Sequence, residues 1–126
     1  MINEALKDRL KRWGYAQQIN DKAKPILELA EQGRLIDFEL SLCRFALQVI
    51  EDVRVGIQSP KEADDLFVLI DNYISEKEIG DELSDEIHEI ILEGHHFHHF
   101  GEDYGPDVTL MKNLIEKFLG QQKEDK

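Results

Sequence analysis

Two groups of residues in this 126-residue chain have types and spacings that could do chemistry. The first is histidine. All five, His88, His95, His96, His98 and His99, fall within one short stretch. Imidazole is a common ligand for zinc and other transition metals. On a helix, His95 and His99 would share a face at i,i+4, and His96 and His99 at i,i+3. Asp103 or Asp107 could then add an oxygen. The candidate metal ligands are therefore His95, His96, His98, His99 and Asp103. They would serve a metal-binding protein or a metal-dependent enzyme holding an ion such as zinc. Glu93-x-x-His96 is one copy of a pair that carboxylate-bridged di-iron bundles use twice, and the chain holds no second copy. His-Glu-x-x-His and paired cysteines are also absent. The competing reading, and the preferred one, is structural: Phe97 and Phe100 anchor in a core while the histidines face solvent or make hydrogen bonds.

The second group is acidic. Read as one helix between about Glu76 and Glu93, Glu78, Glu82 and Glu86 fall in one row. Asp81, Asp85, Glu89 and Glu93 fall in the next. Like charges at i,i+4 cost about 0.2–0.5 kcal/mol per pair in an isolated helix. Lys77 is the only base nearby. A helix shaped by stability alone would interleave lysines, so the repulsion points to docking on a cationic surface. The alternative is an ordinary solvated face. Tyr104, beside Glu102 and Asp103, adds an aromatic of the kind that anchors interfaces. The expected partner-binding residues are Glu78, Glu82, Asp85, Glu86, Glu89 and Tyr104.

No other constellation carries chemistry. Cys43 lies within an apolar stripe, where cysteine behaves as a small hydrophobe. The serines lack a nucleophile-elbow context, and the glycines form no phosphate loop. No catalytic residue is assigned, and a binding protein is expected rather than an enzyme.

Charge narrows the partner. The chain carries 15 basic and 27 acidic residues, a net charge of −12. Residues 35–107 hold 19 of the acids and only four bases, so the excess acidity is confined to the middle. That sign opposes a grip on nucleic acid, whose phosphates must be met by Lys and Arg. It suits a basic protein partner, and charge of this kind steers encounter and selects partners. The start lacks the pattern of a signal peptide, and the apolar runs are shorter than the roughly 20 residues of a membrane span. One cysteine allows no internal disulfide. A cytoplasmic protein with no membrane partner is expected, with homo-oligomer formation left open.

The elements that must position these groups read as helices throughout. A first helix is expected over about Asn3–Trp13, with Ala5, Leu6, Leu10 and Trp13 recurring at threes and fours and Gly14 permitting a stop. A second starts near Pro25 and ends at Gly33. A third is capped by Asp37, carries the stripe Phe38, Leu42, Phe45, Val49 and Val53, and ends at Gly56. A fourth begins at Ser59-Pro60-Lys61-Glu62, a capping box with proline at the first position. The acidic helix follows, with a break near Gly80 open, and Gly94 closes it. Asp107 caps a last helix through Leu119, with Leu110, Met111, Leu114, Ile115 and Phe118 inward. Together these predict a single all-α domain over residues 1–120, a bundle of five or six mostly antiparallel helices, followed by a frayed tail at 121–126.

Between about Ile26 and Ile70, three segments carry a resemblance. They are Leu27-Glu28-Leu29-Ala30-Glu31-Gln32-Gly33, Phe38-Glu39-Leu40-Ser41-Leu42-Cys43 and Ser59-Pro60-Lys61-Glu62. This stretch, roughly a third of the chain, resembles small helical immunity proteins of bacterial polymorphic toxin systems, such as the Maf-type group. The resemblance implies a binding role in which a cognate toxin is neutralised by occlusion. It assigns no individual residue. A nuclease-like toxin carries a basic groove that an acidic helical surface could cover. A regulatory or structural subunit of a larger complex is a further alternative.

Overall fold

A computed structural model describes residues 4–102 and 105–124. Five helices are packed against one another: α1 (Glu4–Glu31), α2 (Leu35–Arg54), α3 (Pro60–Glu76), α4 (Asp85–Gly94) and α5 (Val108–Glu124). Short 3-10 turns lie at Gly80–Glu82 and Phe97–His99. Among the described residues there is no strand, so the all-α bundle is the fold. No helix among them is long and apolar enough to cross a membrane.

Helix α2 is the hub, touching all four other helices. Its wide apolar stripe explains why. Phe38, Leu42, Cys43, Ala46, Val49, Ile50 and Val53 are all buried. Leu66, Phe67 and Ile70 of α3, Ile87, Ile90 and Ile91 of α4, and Met111, Ile115 and Phe118 of α5 complete one core. At about 25 cal/mol per Å² of apolar surface, such burial is the main force holding the helices together.

The two helices expected before Gly33 are one. α1 runs unbroken through Gly14 and Pro25. A glycine inside a helix costs about 1 kcal/mol relative to alanine but does not stop it. Pro25 lies on the exposed side, where water can serve the Asp21 carbonyl deprived of an amide partner. Bonds on both sides of the proline tie α1 to α3: Tyr15 donates to Asp65, Lys22 meets Glu62 at 3.1 Å, and Tyr73 donates to Glu31 at 2.6 Å.

Other boundaries also differ. α2 begins at Leu35, ahead of Asp37, whose carboxylate is engaged by the Arg34 guanidinium at 2.8 Å. α5 continues past Gly120 to Glu124, since that glycine is not in the left-handed conformation that would end a helix. Leu110, expected inward, is exposed, as are Leu6 and Trp13 of the apolar periodicity in the first helix. Ser59 does cap α3, accepting from the Glu62 amide at 3.1 Å, and Asp107 accepts from the Leu110 amide at 2.9 Å.

Candidate partner-binding surface

The acidic segment is not one helix. Helix α3 ends at Glu76, and the chain turns through Lys77, Glu78 and Ile79 before α4 begins at Asp85. The turn closes with two bonds, Glu78 N to Ser75 O at 3.2 Å and Ile79 N to Ile74 O at 3.3 Å. That pair is the Schellman arrangement, which places one residue in the left-handed region. Gly33 and Gly56 fill this position after α1 and α2, with φ of 73° and 83°. After α3 it is filled by Glu78, φ 56°. The sequence left a break open near Gly80, and a glutamate in this position gives no sign that the left-handed turn falls at Glu78 instead.

The expected row Glu78–Glu82–Glu86 is therefore corrected. Glu78 sits in the turn, Glu82 in the 3-10 turn and Glu86 in the first turn of α4. The neighbouring row survives only from Asp85 onward, through Glu89 to Glu93. Asp85 and Glu86 now stand at a helix N-terminus, where negative charge suits the positive end of the helix dipole. Glu86 is held low in pKa, first by its own backbone amide and then by Lys117, whose Nζ lies 3.2 Å away. Among the described residues it is the one expected partner residue that is mostly covered, its side chain 14 % exposed. Tyr104 lies outside the described residues, as does Asp103.

What the fold does bring together is a rim of exposed carboxylates: Glu76, Glu78, Asp81, Glu82, Asp85 and Glu89. None forms an ion pair among the described residues. Lys77, the one cation within this segment, is turned away to Glu31 of α1 at 3.5 Å. A depression of about 270 Å³ opens beside the rim, lined by Asp71, Ser75, Glu78, Gly80, Asp81 and His88. His88 Nε2 lies 2.7 Å from the Gly80 carbonyl and fixes the near wall. Three carboxylates around a concavity of that size can accept a lysine or arginine side chain. Asp71 was missed in the sequence because it lies a full turn inside α3, away from the acidic run. Its share in the site depends on how α4 folds back over α3.

The buried carboxylate of Glu39 sets this geometry. Glu39 Oε2 accepts the Ser84 amide at 2.8 Å, where α4 begins. Glu39 lies in the first turn of α2, yet it is 6 % exposed and serves the start of another helix.

Three of the histidines meet three different carboxylates, and the rings of His98 and His99 touch, their centroids 3.9 Å apart. His95 Nε2 lies 3.3 Å from Asp71, His98 Nδ1 3.4 Å from Asp64 and His99 Nδ1 2.7 Å from Glu102. Asp64 and Asp71 are two turns apart on α3, so the 95–98 segment lies along that helix. Phe97 is fully buried and stacks on Phe67 at 5.7 Å, with Phe100 stacked on Phe97 at 6.2 Å. The aromatic anchoring expected from the sequence is what the structure shows. Among the described residues, no group of three or more His, Cys, Asp or Glu side chains could hold a metal ion. Cys43 is buried, its thiol pushed up to about 12 by burial and then by Glu39.

The class these features define is an all-α bundle with exposed carboxylates at the α3–α4 junction that form no ion pair among the described residues. Compared with known protein families, curated proteins and solved structures, the chain matches none.

Proposed function

We propose that this chain is a non-enzymatic binding protein that receives a basic partner on the carboxylate rim between Glu76 and Glu89. In this reading it is an immunity protein that neutralises a nuclease-like toxin by covering the toxin's basic active-site groove. The observation that carries it is the pairing pattern. Among the described residues, Lys7, Lys22, Lys24, Arg34, Arg54, Lys61, Lys77 and Lys117 pair with other acids, while Glu78, Asp81, Glu82, Asp85 and Glu89 form no ion pair there and keep exposed charges of one sign. Repulsion retained in a small bundle is a stability cost that a basic partner would reverse on docking. The strained Glu78 supports the same reading, because a non-glycine residue held in the left-handed region marks a candidate functional position. The 270 Å³ depression offers a seat for one basic side chain among the carboxylates.

The test is comparative capture from the producing cells. Untagged chain and a Glu82→Lys/Asp85→Lys/Glu89→Lys variant are immobilised in parallel, and bound proteins are quantified by mass spectrometry. The expected outcome is a basic protein held by the native chain and lost from the variant. If that protein cleaves nucleic acid, the native chain blocks cleavage and the variant does not. A partner retained equally by both would refute the assignment of this surface.

A further inference from the structure

A second site lies at the other end of α3, where α2 turns into it. Gly56, φ 83°, lets the chain reverse, and the Ile57 and Gln58 amides both donate to the Asp52 carbonyl, at 2.9 and 3.1 Å. The turn therefore sets Gln58 beside Asp52. Both residues line a depression of about 290 Å³ walled by Phe45 and Val49 of α2, Leu66 of α3 and Ile57 of the turn. Val49 and Leu66 belong to the buried core, whereas Ile57 is 77 % exposed and stands at the edge. The volume is near the lower end of the range for small-molecule sites, about 300–1,000 Å³. Apolar walls with a few convergent polar groups are also the usual make-up of such sites.

Two of the polar groups are incomplete. Gln58 is 6 % exposed, and its Oε1 is enclosed without a hydrogen-bond partner among the described residues. An unpaired buried acceptor costs stability, and an apolar residue of similar size would avoid that cost. The last torsion of a glutamine is broad, so this oxygen can swing to a donor that enters the depression. Asp52 accepts from Gln48 Nε2 at 2.8 Å through Oδ1 alone and forms no ion pair among the described residues. Lys22, at the same depression, is already held by Glu62 at 3.1 Å. The site thus offers one uncompensated carboxylate and one unpaired acceptor against apolar walls. We infer that it binds a small primary amine with an apolar body. The ammonium donates to Asp52 Oδ2 and Gln58 Oε1, and the body lies against Phe45, Val49 and Leu66. Hydrogen bonds from an ammonium to a carboxylate are among the strong ones, and the chain's net charge of −12 favours a cation over an anion. The site shares no residue with the carboxylate rim, so either can fail alone.

NMR titration of the full chain with phenethylamine provides the test, with phenethyl alcohol and phenylacetate as neutral and anionic analogues. The expected result is saturable binding of the amine, with the largest shifts at Phe45, Asp52 and the Gln58 side-chain amide. The alcohol and the acid should each bind at least about tenfold more weakly. Asp52→Asn keeps an acceptor for Gln48 and should weaken the amine by at least about tenfold. Gln58→Met should raise the melting temperature of the free chain, because the unpaired acceptor is gone, and weaken the amine to a similar degree. The Glu82→Lys/Asp85→Lys/Glu89→Lys variant should bind the amine as the native chain does. No saturable binding by the native chain, or equal binding of amine and alcohol, would overturn the inference. So would native affinity in either single variant, or loss of binding in the rim variant. A blocked lysine, Nα-acetyl-lysine amide, that bound more tightly than phenethylamine would also overturn it and assign the depression to a protein side chain.

Discussion

Glu39 on α2 holds the backbone amide of Ser84 at 2.8 Å, across 45 residues of sequence. This bond fixes where α4 starts, and with it the positions of Asp85, Glu86 and Glu89. A carboxylate buried this deeply needs partners, and a backbone donor at a helix start supplies one. Replacing Glu39 with alanine removes the acceptor and leaves the Ser84 amide unsatisfied. A loss of about 1–3 kcal/mol is expected in urea denaturation. Amide exchange should quicken around Ser84 and the first turn of α4 more than in α5. Uniform acceleration across the bundle would show that the bond does not organise this junction in particular.

Glu78→Gly tests the strained turn. Glycine adopts φ near 56° without the penalty that L side chains incur, so relief of about 0.5–1 kcal/mol is expected despite a more flexible unfolded chain. The same substitution removes a rim carboxylate and should weaken capture of a basic partner. Stability and binding thus move in opposite directions. A destabilised Glu78→Gly would mean that the glutamate side chain holds the turn.

Gly94 is required by close approach. A Cβ built there would lie 2.2 Å from Cγ of the Phe67 ring, itself fully buried and stacked on Phe97. Neither ring has room to retreat. Gly94→Ala should cost at least the roughly 1–3 kcal/mol of an overpacked core and shift the Phe67–Phe97 stack. Thermal melting checks the first effect and aromatic circular dichroism the second. A melting temperature equal to that of the native chain would contradict the packing described.

Two tyrosines couple stability to pH. Tyr15 and Tyr73 each have a phenol pushed up to about 12, first by burial and then by the carboxylates they serve, Asp65 and Glu31. A pKa raised above its unfolded value of 10 gives stability that is complete below about pH 10 and lost as pH climbs through about 12. Glu31 lies below its ordinary value, chiefly through the Tyr73 bond and then Lys77. Burial would raise Asp65, but bonds from Lys61 and Tyr15 outweigh it and leave it low. Those two carboxylates contribute stability that is complete above their ordinary range and lost in acid as pH falls through their lowered values. Tyr15→Phe should cost about 1 kcal/mol at neutral pH and flatten the alkaline limb of melting temperature against pH. An unchanged alkaline limb in a Tyr15→Phe/Tyr73→Phe protein would contradict the linkage.

The sequence was most legible where one residue type has one structural use. The stripe of α2, the Ser59-Pro60-Lys61-Glu62 start of α3 and the Asp107 bond to α5 followed from periodicity and capping chemistry. Gly33 and Gly56 marked helix ends because the left-handed turn favours glycine. Legibility failed where tertiary contacts overrode local preference. Pro25 and Gly14 lie within α1 because bonds to α3 hold the helix on both sides of the proline. Glu78 ends α3 in a conformation that its residue type does not advertise. The acids were visible as a charge run, but their arrangement was not. A turn replaced the expected helical row, Lys117 from α5 claimed Glu86, and Asp71 joined from α3. These are contacts between segments far apart in the chain, which spacing along one helix cannot encode.

The most direct measurement is the association rate constant between the captured partner and either the native chain or the Glu82→Lys/Asp85→Lys/Glu89→Lys variant, taken across a series of salt concentrations. A steered encounter predicts a fast native rate that falls steeply with salt, and a variant at least about tenfold slower at low salt that converges with the native chain at high salt. Equal rates for the two proteins at low salt would contradict the claim that these carboxylates form the docking surface.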